Sequence, residues 1–291
     1  MFWDERHGGA FLPRLEIVAA AVLFSTGGAA IKWCSLGGWQ LASLRSGVAV
    51  VAILLMVPEA RRRWTGRTWL VGIAYAGMLI LYVLANKLTT AANTIFLQDT
   101  APLYVLVLGP VLLRERFRRS DLIVIGVIGA GMVLFFVGSP GRFATAPDPR
   151  LGNLLAVAAG LFWALTILGL RWLARDGDAG ASAAAAACGN LIAFAGGLPF
   201  ALPLGPLGLA DGAAVLYLGG VQIGLAYVFL TRGMRRVPAL ETSLLLLVEP
   251  ILNPVWAWLV HGERPGGWAV AGGALILTGT VLRTLLTRET G

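Results

Sequence analysis

Two carboxylic acids stand deep inside apolar stretches of this 291-residue chain: Asp99, eight residues into one run, and Glu249, eleven residues into another. An aspartate at the centre of a membrane helix costs roughly 2.5–3.5 kcal/mol on insertion scales, so such residues are functional candidates by default. Each acid is closely followed by a proline, Pro102 or Pro250. Proline lacks an N–H and disturbs the carbonyl four residues earlier, here those of Gln98 and Leu246. A kinked helix with freed acceptors, the Gln98 amide and a carboxylate can hold a substrate ammonium group or a transported proton. It can equally be a structural kink whose acid is paired to a neighbouring helix or held protonated. Asn253 lies one turn beyond Glu249 on the same face, and Pro254 predicts a second break in that helix.

Aromatic residues share this depth. Tyr75 and Tyr82 are seven apart and fall on one helical face, and Tyr227 repeats Tyr82 in the second half. A phenol facing hydrocarbon leaves its hydroxyl unpaired, so these rings are expected to face the interior or a wet cavity. Trp163 is eleven residues into its run, at the midplane, with Phe24 and Ser25 at similar depth in the other half. A tryptophan there can simply pack between helices, but its indole N–H needs an acceptor. Lined by Trp163, Tyr82, Phe24 and Tyr227, a cavity would suit a flat aromatic side chain or a lipophilic cation, through stacking and cation–π contact. Arg45, about six residues into its run, is expected to snorkel toward the outer surface. Glu241 and Lys87 sit too near run ends to be informative.

Other chemistry finds no support. The sequence has no H-E-x-x-H, G-x-S-x-G or Cys/His metal spacing, and no phosphate-binding loop. Cys34 and Cys188, 154 residues apart, read as small buried hydrophobes, and His7 and His261 fall in a tail and at a helix end. The expectation is therefore no enzyme, no cofactor, no metal and no ATP-driven step within the chain. A membrane-embedded enzyme and a non-transporting sensor remain the alternatives from other classes.

The elements that must position these residues are membrane helices. Hydrophobic residues make up 57% of the chain and charged ones 13%, where a soluble protein has about a quarter charged. Mean hydropathy is +0.78. Runs bounded by charge, Gly or Pro predict an all-α bundle of ten helices over 15–34, 39–57, 68–86, 91–113, 121–138, 152–172, 182–203, 212–232, 238–261 and 266–286. The first run is too long, and too acidic at its head, for a cleaved signal sequence. Seven tryptophans, at 33, 39, 64, 69, 172, 258 and 268, fall near helix ends as an interfacial belt does. Gly126 to Ala130 and Gly267 to Ala271 have small-xxx-small spacing, and 181–189 is almost all alanine, which permits close packing within one chain or between two.

Of the 23 Lys and Arg, 17 fall in the tails and even-numbered joints and 5 in the odd-numbered joints, with Arg45 inside a helix. Positive residues accumulate on the cytoplasmic side, so both termini are expected there. The run from Arg61 through Arg62, Arg63 and Trp64 to Arg67 reads as a cytoplasmic anchor, and no nucleic acid is expected to bind. The halves also match in order. Tyr82-Val83-Leu84 and Lys87 correspond to Tyr227-Val228-Phe229 and Arg232 at an offset of 145. Pro102 corresponds to Pro250, and Arg114-Glu115-Arg116 to Gly262-Glu263-Arg264, at 148; Phe24-Ser25 corresponds to Phe162-Trp163 at 138. Five helices per unit is odd, so a duplicated unit re-enters reversed. The domains expected are a tail (1–14), a first five-helix repeat (15–138), an external linker (139–151), an inverted second repeat (152–286) and a C-terminal tail (287–291). Inverted repeats are a common construction for secondary transporters, with the substrate near the midplane.

One pattern is specific. A proline midway along the fourth helix, a charged joint with a glutamate (Arg114-Glu115-Arg116) and a Gly-rich fifth helix (Gly126, Gly129, Gly131) recur as Pro250, Glu263 and Gly272, Gly273, Gly279. This resembles the drug/metabolite transporter superfamily, EamA type, from Leu15 to Leu286. The resemblance implies a ten-helix carrier of the bacterial inner membrane, most like the exporters of aromatic amino acids, either secondary-active with a coupling proton or facilitative. Export of lipophilic cations, drugs or other metabolites of the superfamily is the alternative within that class. The pattern departs at Gly262, opposite Arg114, and at Glu249, opposite Ala101.

Overall fold

The computed structural model describes residues 8–61, 64–114, 119–137, 144–174, 180–205 and 207–288. Arg62 and Arg63 of the basic run, Glu115 and Arg116 of the charged joint, residues 1–7 (His7 among them) and 289–291 of the tails, and 139–143 of the linker lie outside the described residues. Ten helical segments among the described residues are long and apolar enough to cross a membrane. They are α1 (Phe11–Trp33), α2 (Gly38–Met56), α3 (Gly66–Leu88), α4 (Ala91–Leu113), α5 (Arg119–Val137), α6 (Pro149–Ala174), α7 (Ala181–Ala201), α8 (Leu209–Gly233), α9 (Glu241–His261) and α10 (Gly267–Leu286). The chain is an all-α polytopic membrane protein, each span lying within four residues of its expected bounds. Leu55, Val111, Phe200 and Leu259 are each more than half exposed, an outside suited to acyl chains rather than water.

Small residues set how closely the helices pack. A Cβ added at Gly131 would lie 2.7 Å from the Gly272 carbonyl oxygen, and one at Gly272 just as close to that of Gly131, so α5 and α10 cross at backbone contact. The spacing Gly126 to Ala130 and Gly267 to Ala271 is not what meets there, because Gly126 and Gly267 have nothing within 4 Å. Gly131→Leu should destabilise the protein by about 1–3 kcal/mol, whereas Gly126→Ala should leave the thermal midpoint in detergent unchanged. The alanine run of α7, Ala181 and Ala183 to Ala187, is buried, and α7 packs on α2 and α3. Cys34 and Cys188 are buried free thiols.

Contacts between the halves have a pattern. α1 packs on α8 and α9, α2 on α7 and α8, α3 on α6 and α7, α4 on α6, and α5 on α10. Exchanging each helix in these pairs for the one five places away returns the same set, although α4 also packs on α10 without an equally close contact between α9 and α5. α4 and α9 also end alike, at the counterpart residues Arg114 and Gly262, both left-handed with φ of 56° and 67°. The departure from Arg to Gly therefore leaves the local backbone conformation unchanged.

Several spans are interrupted. α4 breaks at Asp99–Thr100, between helices Ala91–Gln98 and Ala101–Leu113, and α9 breaks at Leu247, between Ala239–Leu246 and Val248–His261. The physical cause is shared: Pro102 and Pro250 have no N–H to offer the carbonyls of Gln98 and Leu246. The second break expected at Pro254 is absent. The helix runs through it to His261, because the one carbonyl left without its N–H is that of Pro250, in the first turn, and the bonds on either side continue. Two interruptions were not anticipated. α1 breaks at Thr26, and α8 widens into a π-helix over Tyr217–Leu225, whose Gly219 lies so close to α2 that a Cβ would be 2.5 Å from the Arg45 carbonyl.

Candidate functional site

The break in α4 is seated on α6. A Cβ at Gly160 would lie 2.9 Å from the Leu97 carbonyl oxygen and 3.0 Å from that of Gln98, so only glycine lets the broken backbone lie there. Asp99 Oδ2 and Gln98 Oε1 emerge at the break, both buried and both without a hydrogen-bond partner. Such atoms are rare in folded proteins and mark places where a ligand or water belongs. Glu249, in the first turn after the α9 break, lies within electrostatic reach of Asp99. Asn253, fully buried one turn further, donates from Nδ2 to the Tyr82 hydroxyl at 3.2 Å, while its Oδ1 has no partner.

Next to the acids four helices contribute aromatic rings. Tyr227 donates its hydroxyl hydrogen to Tyr75 Oη at 2.7 Å. Their rings meet edge to face at 6.3 Å, Phe24 meets Tyr227 at 5.9 Å and 82°, and Trp163 tilts against Tyr75 at 6.3 Å. Glu249 lies within electrostatic reach of Tyr75, Tyr82 and Tyr227. Thus α1, α3, α6, α8 and α9 bring Phe24, Tyr82, Trp163, Tyr227, Glu249 and Asn253 together, with Asp99 beside Glu249. Gln98 shares the α4 break but bonds to none of the rings. Pro102 and Pro250 shape the two breaks. A Tyr227→Phe change removes one buried hydrogen bond, so a stability loss of about 1 kcal/mol is expected in detergent melts.

Arg45 is not where its sequence position predicts. It turns inward with 2% exposure and bonds the Leu79 carbonyl at 3.1 Å, because α3 offers an acceptor close by and α8 closes over α2 at Gly219. Sequence reasoning also missed Gln222, whose amide donates to the Phe24 carbonyl at 3.2 Å from the π-helix, and the bond from Trp256 Nε1 to Ser25 Oγ at 2.9 Å. No proline announces a π-helix, so Gln222 had no signal.

Buried polar contacts tie the halves together on the face carrying the α1–α2, α3–α4 and α9–α10 joints. Lys32 Nζ, 3% exposed, pairs with Glu263 Oε1 at 3.0 Å and donates to the carbonyls of Asn86, Thr89 and Thr145 at 2.8, 2.7 and 2.5 Å. Glu263 Oε2 accepts from the Ala91 N–H at 2.8 Å, at the positive end of the first α4 helix. Lys87 Nζ donates to the Cys34 carbonyl, and Asp211 accepts from Ser35 N and Oγ at 2.7 and 2.6 Å. Burial pushes the Cys34 thiol pKa up. Lys32 and Lys87 are the chain's two lysines among 23 basic residues, a signal that the counting of charges by joint passed over. At the other end Arg14 pairs with Glu241 at 2.5 Å, with side chains 44% and 33% exposed, and Arg235 with Glu59, both at the surface, while Arg283 pairs with the buried Asp121 at 3.2 Å.

The geometry gathers aromatic rings, two acids with buried surroundings and freed carbonyls between the halves, a chemistry that suits a compound with a ring and an ammonium group. The EamA-like transporter family model matches the chain over residues 15–137 and 150–285. The chain is 28% identical over 235 residues to the aromatic amino acid exporter YddG of Ancylobacter novellus, covering 79% of each chain. It is 27% identical over 278 residues to the pseudopaline exporter CntI of Pseudomonas aeruginosa, covering 92% of this chain and 94% of that one. A crystal structure with a TM-score of 0.63 and 24% identity covers 95% of this chain and 98% of that chain, a likeness of fold.

Proposed function

The chain belongs to the EamA-like transporter family, and from that premise we propose that it exports small amphipathic metabolites, aromatic amino acids first among them, through the central site by alternating access. The observation that carries this reading is the ring cluster of Phe24, Tyr75, Trp163 and Tyr227 beside Glu249 and Asp99 at two helix breaks. The rings take a flat side chain by stacking, and an acid takes the ammonium group or a coupling proton. The pseudo-symmetric packing and the matched breaks in α4 and α9 support two repeats, 15–138 and 152–286, with the second inverted. In a bacterial inner membrane, both termini are then cytoplasmic and the Lys32–Glu263 face is external.

Efflux from proteoliposomes, with amino acids, aromatic amines and quaternary cations in competition, tests the reading. Phenylalanine or tryptophan should be moved, and Trp163→Ala should cost about tenfold in efflux while Trp163→Phe keeps most of it, since the lost contact is a ring contact. Full transport by Trp163→Ala removes the stacking role. The same rings and acids also fit a lipophilic cation, and preferential movement of quaternary cations over amino acids would favour that second reading. Binding without flux would point to a sensor.

A further inference from the structure

Arg45 is among the largest fully buried side chains of the protein. A guanidinium stays charged in proteins and presents five donors, yet here one hydrogen bond is made, from Nη2 to the Leu79 carbonyl, and the buried Nε makes none. Among the described residues no carboxylate pairs with it. A buried charge is ordinarily paired, because leaving it bare costs several kcal/mol. Its place in the fold says what would pair it. Leu79 lies on α3 between Tyr75 and Tyr82, and both phenols are within electrostatic reach of Arg45 and of Glu249. Arg45 and Glu249 therefore flank the same two phenols as neighbours.

We propose that Arg45 receives the carboxylate of the transported compound, so that the site takes zwitterions: a carboxylate at Arg45, an ammonium group at Glu249 and a ring among Phe24, Trp163 and Tyr227. This rests on the exporter reading above and sharpens it, since a cation lacking a carboxylate leaves Arg45 unpaired. Arginine is the residue suited to the task, because its planar fork matches a carboxylate with two parallel bonds. The orphan Nε is one such donor. Rejection follows from the same physics: a site with a buried donor discriminates strongly against an analogue lacking the group that satisfies it.

Phenylalanine and phenethylamine share ring and amine and differ by the carboxylate, so their efflux from proteoliposomes is the test. Wild type should move phenylalanine with at least about tenfold higher efficiency. Arg45→Gln should abolish that preference by losing phenylalanine transport while phenethylamine transport holds or rises, and Arg45→Lys should recover part of it. Equal handling of the two compounds by wild type overturns the proposal whatever the variants do, and so does an Arg45→Gln protein that melts normally and loses both equally. Movement of phenethylamine alone overturns it and leaves the protein an exporter. Movement of neither by wild type overturns it together with the exporter reading.

Discussion

Glu249→Gln is expected to cut efflux of an aromatic amino acid by roughly tenfold to a hundredfold, the loss of one charge-assisted contact of about 1.5–3 kcal/mol. The amide has nearly the shape of the acid, and Glu249 makes no ion pair with another side chain among the described residues, so folding should survive. The thermal midpoint in detergent is the control. The acid matters because of where the chain breaks. Pro250 leaves the Leu246 carbonyl unbonded, α9 interrupts at Leu247, and Glu249 stands in the next turn within electrostatic reach of Tyr75, Tyr82, Tyr227 and Asp99. Asp99→Asn tests its neighbour at the matching break. Unchanged flux and unchanged pH dependence in Glu249→Gln would take the residue out of the mechanism.

Lys32→Met should destabilise the protein by about 3–5 kcal/mol, because it strands the buried Glu263 carboxylate with the Ala91 N–H as its remaining close donor. The double variant Lys32→Met/Glu263→Met should recover much of that loss, since removing both charges removes the need to pair them. If these contacts close one end of the transport path, Lys32→Met should also raise the labelling rate of a cysteine placed at Ser35. Ser35 hydrogen-bonds across the halves to Asp211 in the same layer. Equal stability of single and double variants would contradict a pairing role.

Much of the fold was legible because each span is a long apolar run and each joint carries charge or Gly and Pro. The breaks in α4 and α9 were legible for a chemical reason: proline cannot donate, so the disturbed carbonyl can be counted from the sequence. The limits have equally definite causes. Whether a proline breaks a helix depends on the bonds around it, so Pro250 does and Pro254 does not. Arg45 could not be placed by depth, because snorkelling and inward burial differ only by which neighbour supplies an acceptor, and Leu79 is distant in sequence. Lys32 was counted as a surface charge, although four acceptors, on Asn86, Thr89, Thr145 and Glu263, converge on it from three other parts of the chain. Gly131 and Gly272, among the glycines already noted, proved to be the crossing point, while the regular spacing beginning at Gly126 pointed to a different face.

The central claim is that a ring-bearing substrate is carried through the aromatic and acidic cluster between the halves. Counterflow in proteoliposomes tests it most directly: vesicles loaded with unlabelled phenylalanine should transiently accumulate labelled phenylalanine from outside. Glu249→Gln and Trp163→Ala should each reduce that accumulation by about tenfold or more in folded protein. No counterflow of any aromatic amino acid by well-folded wild type, or counterflow indifferent to both substitutions, would contradict the account.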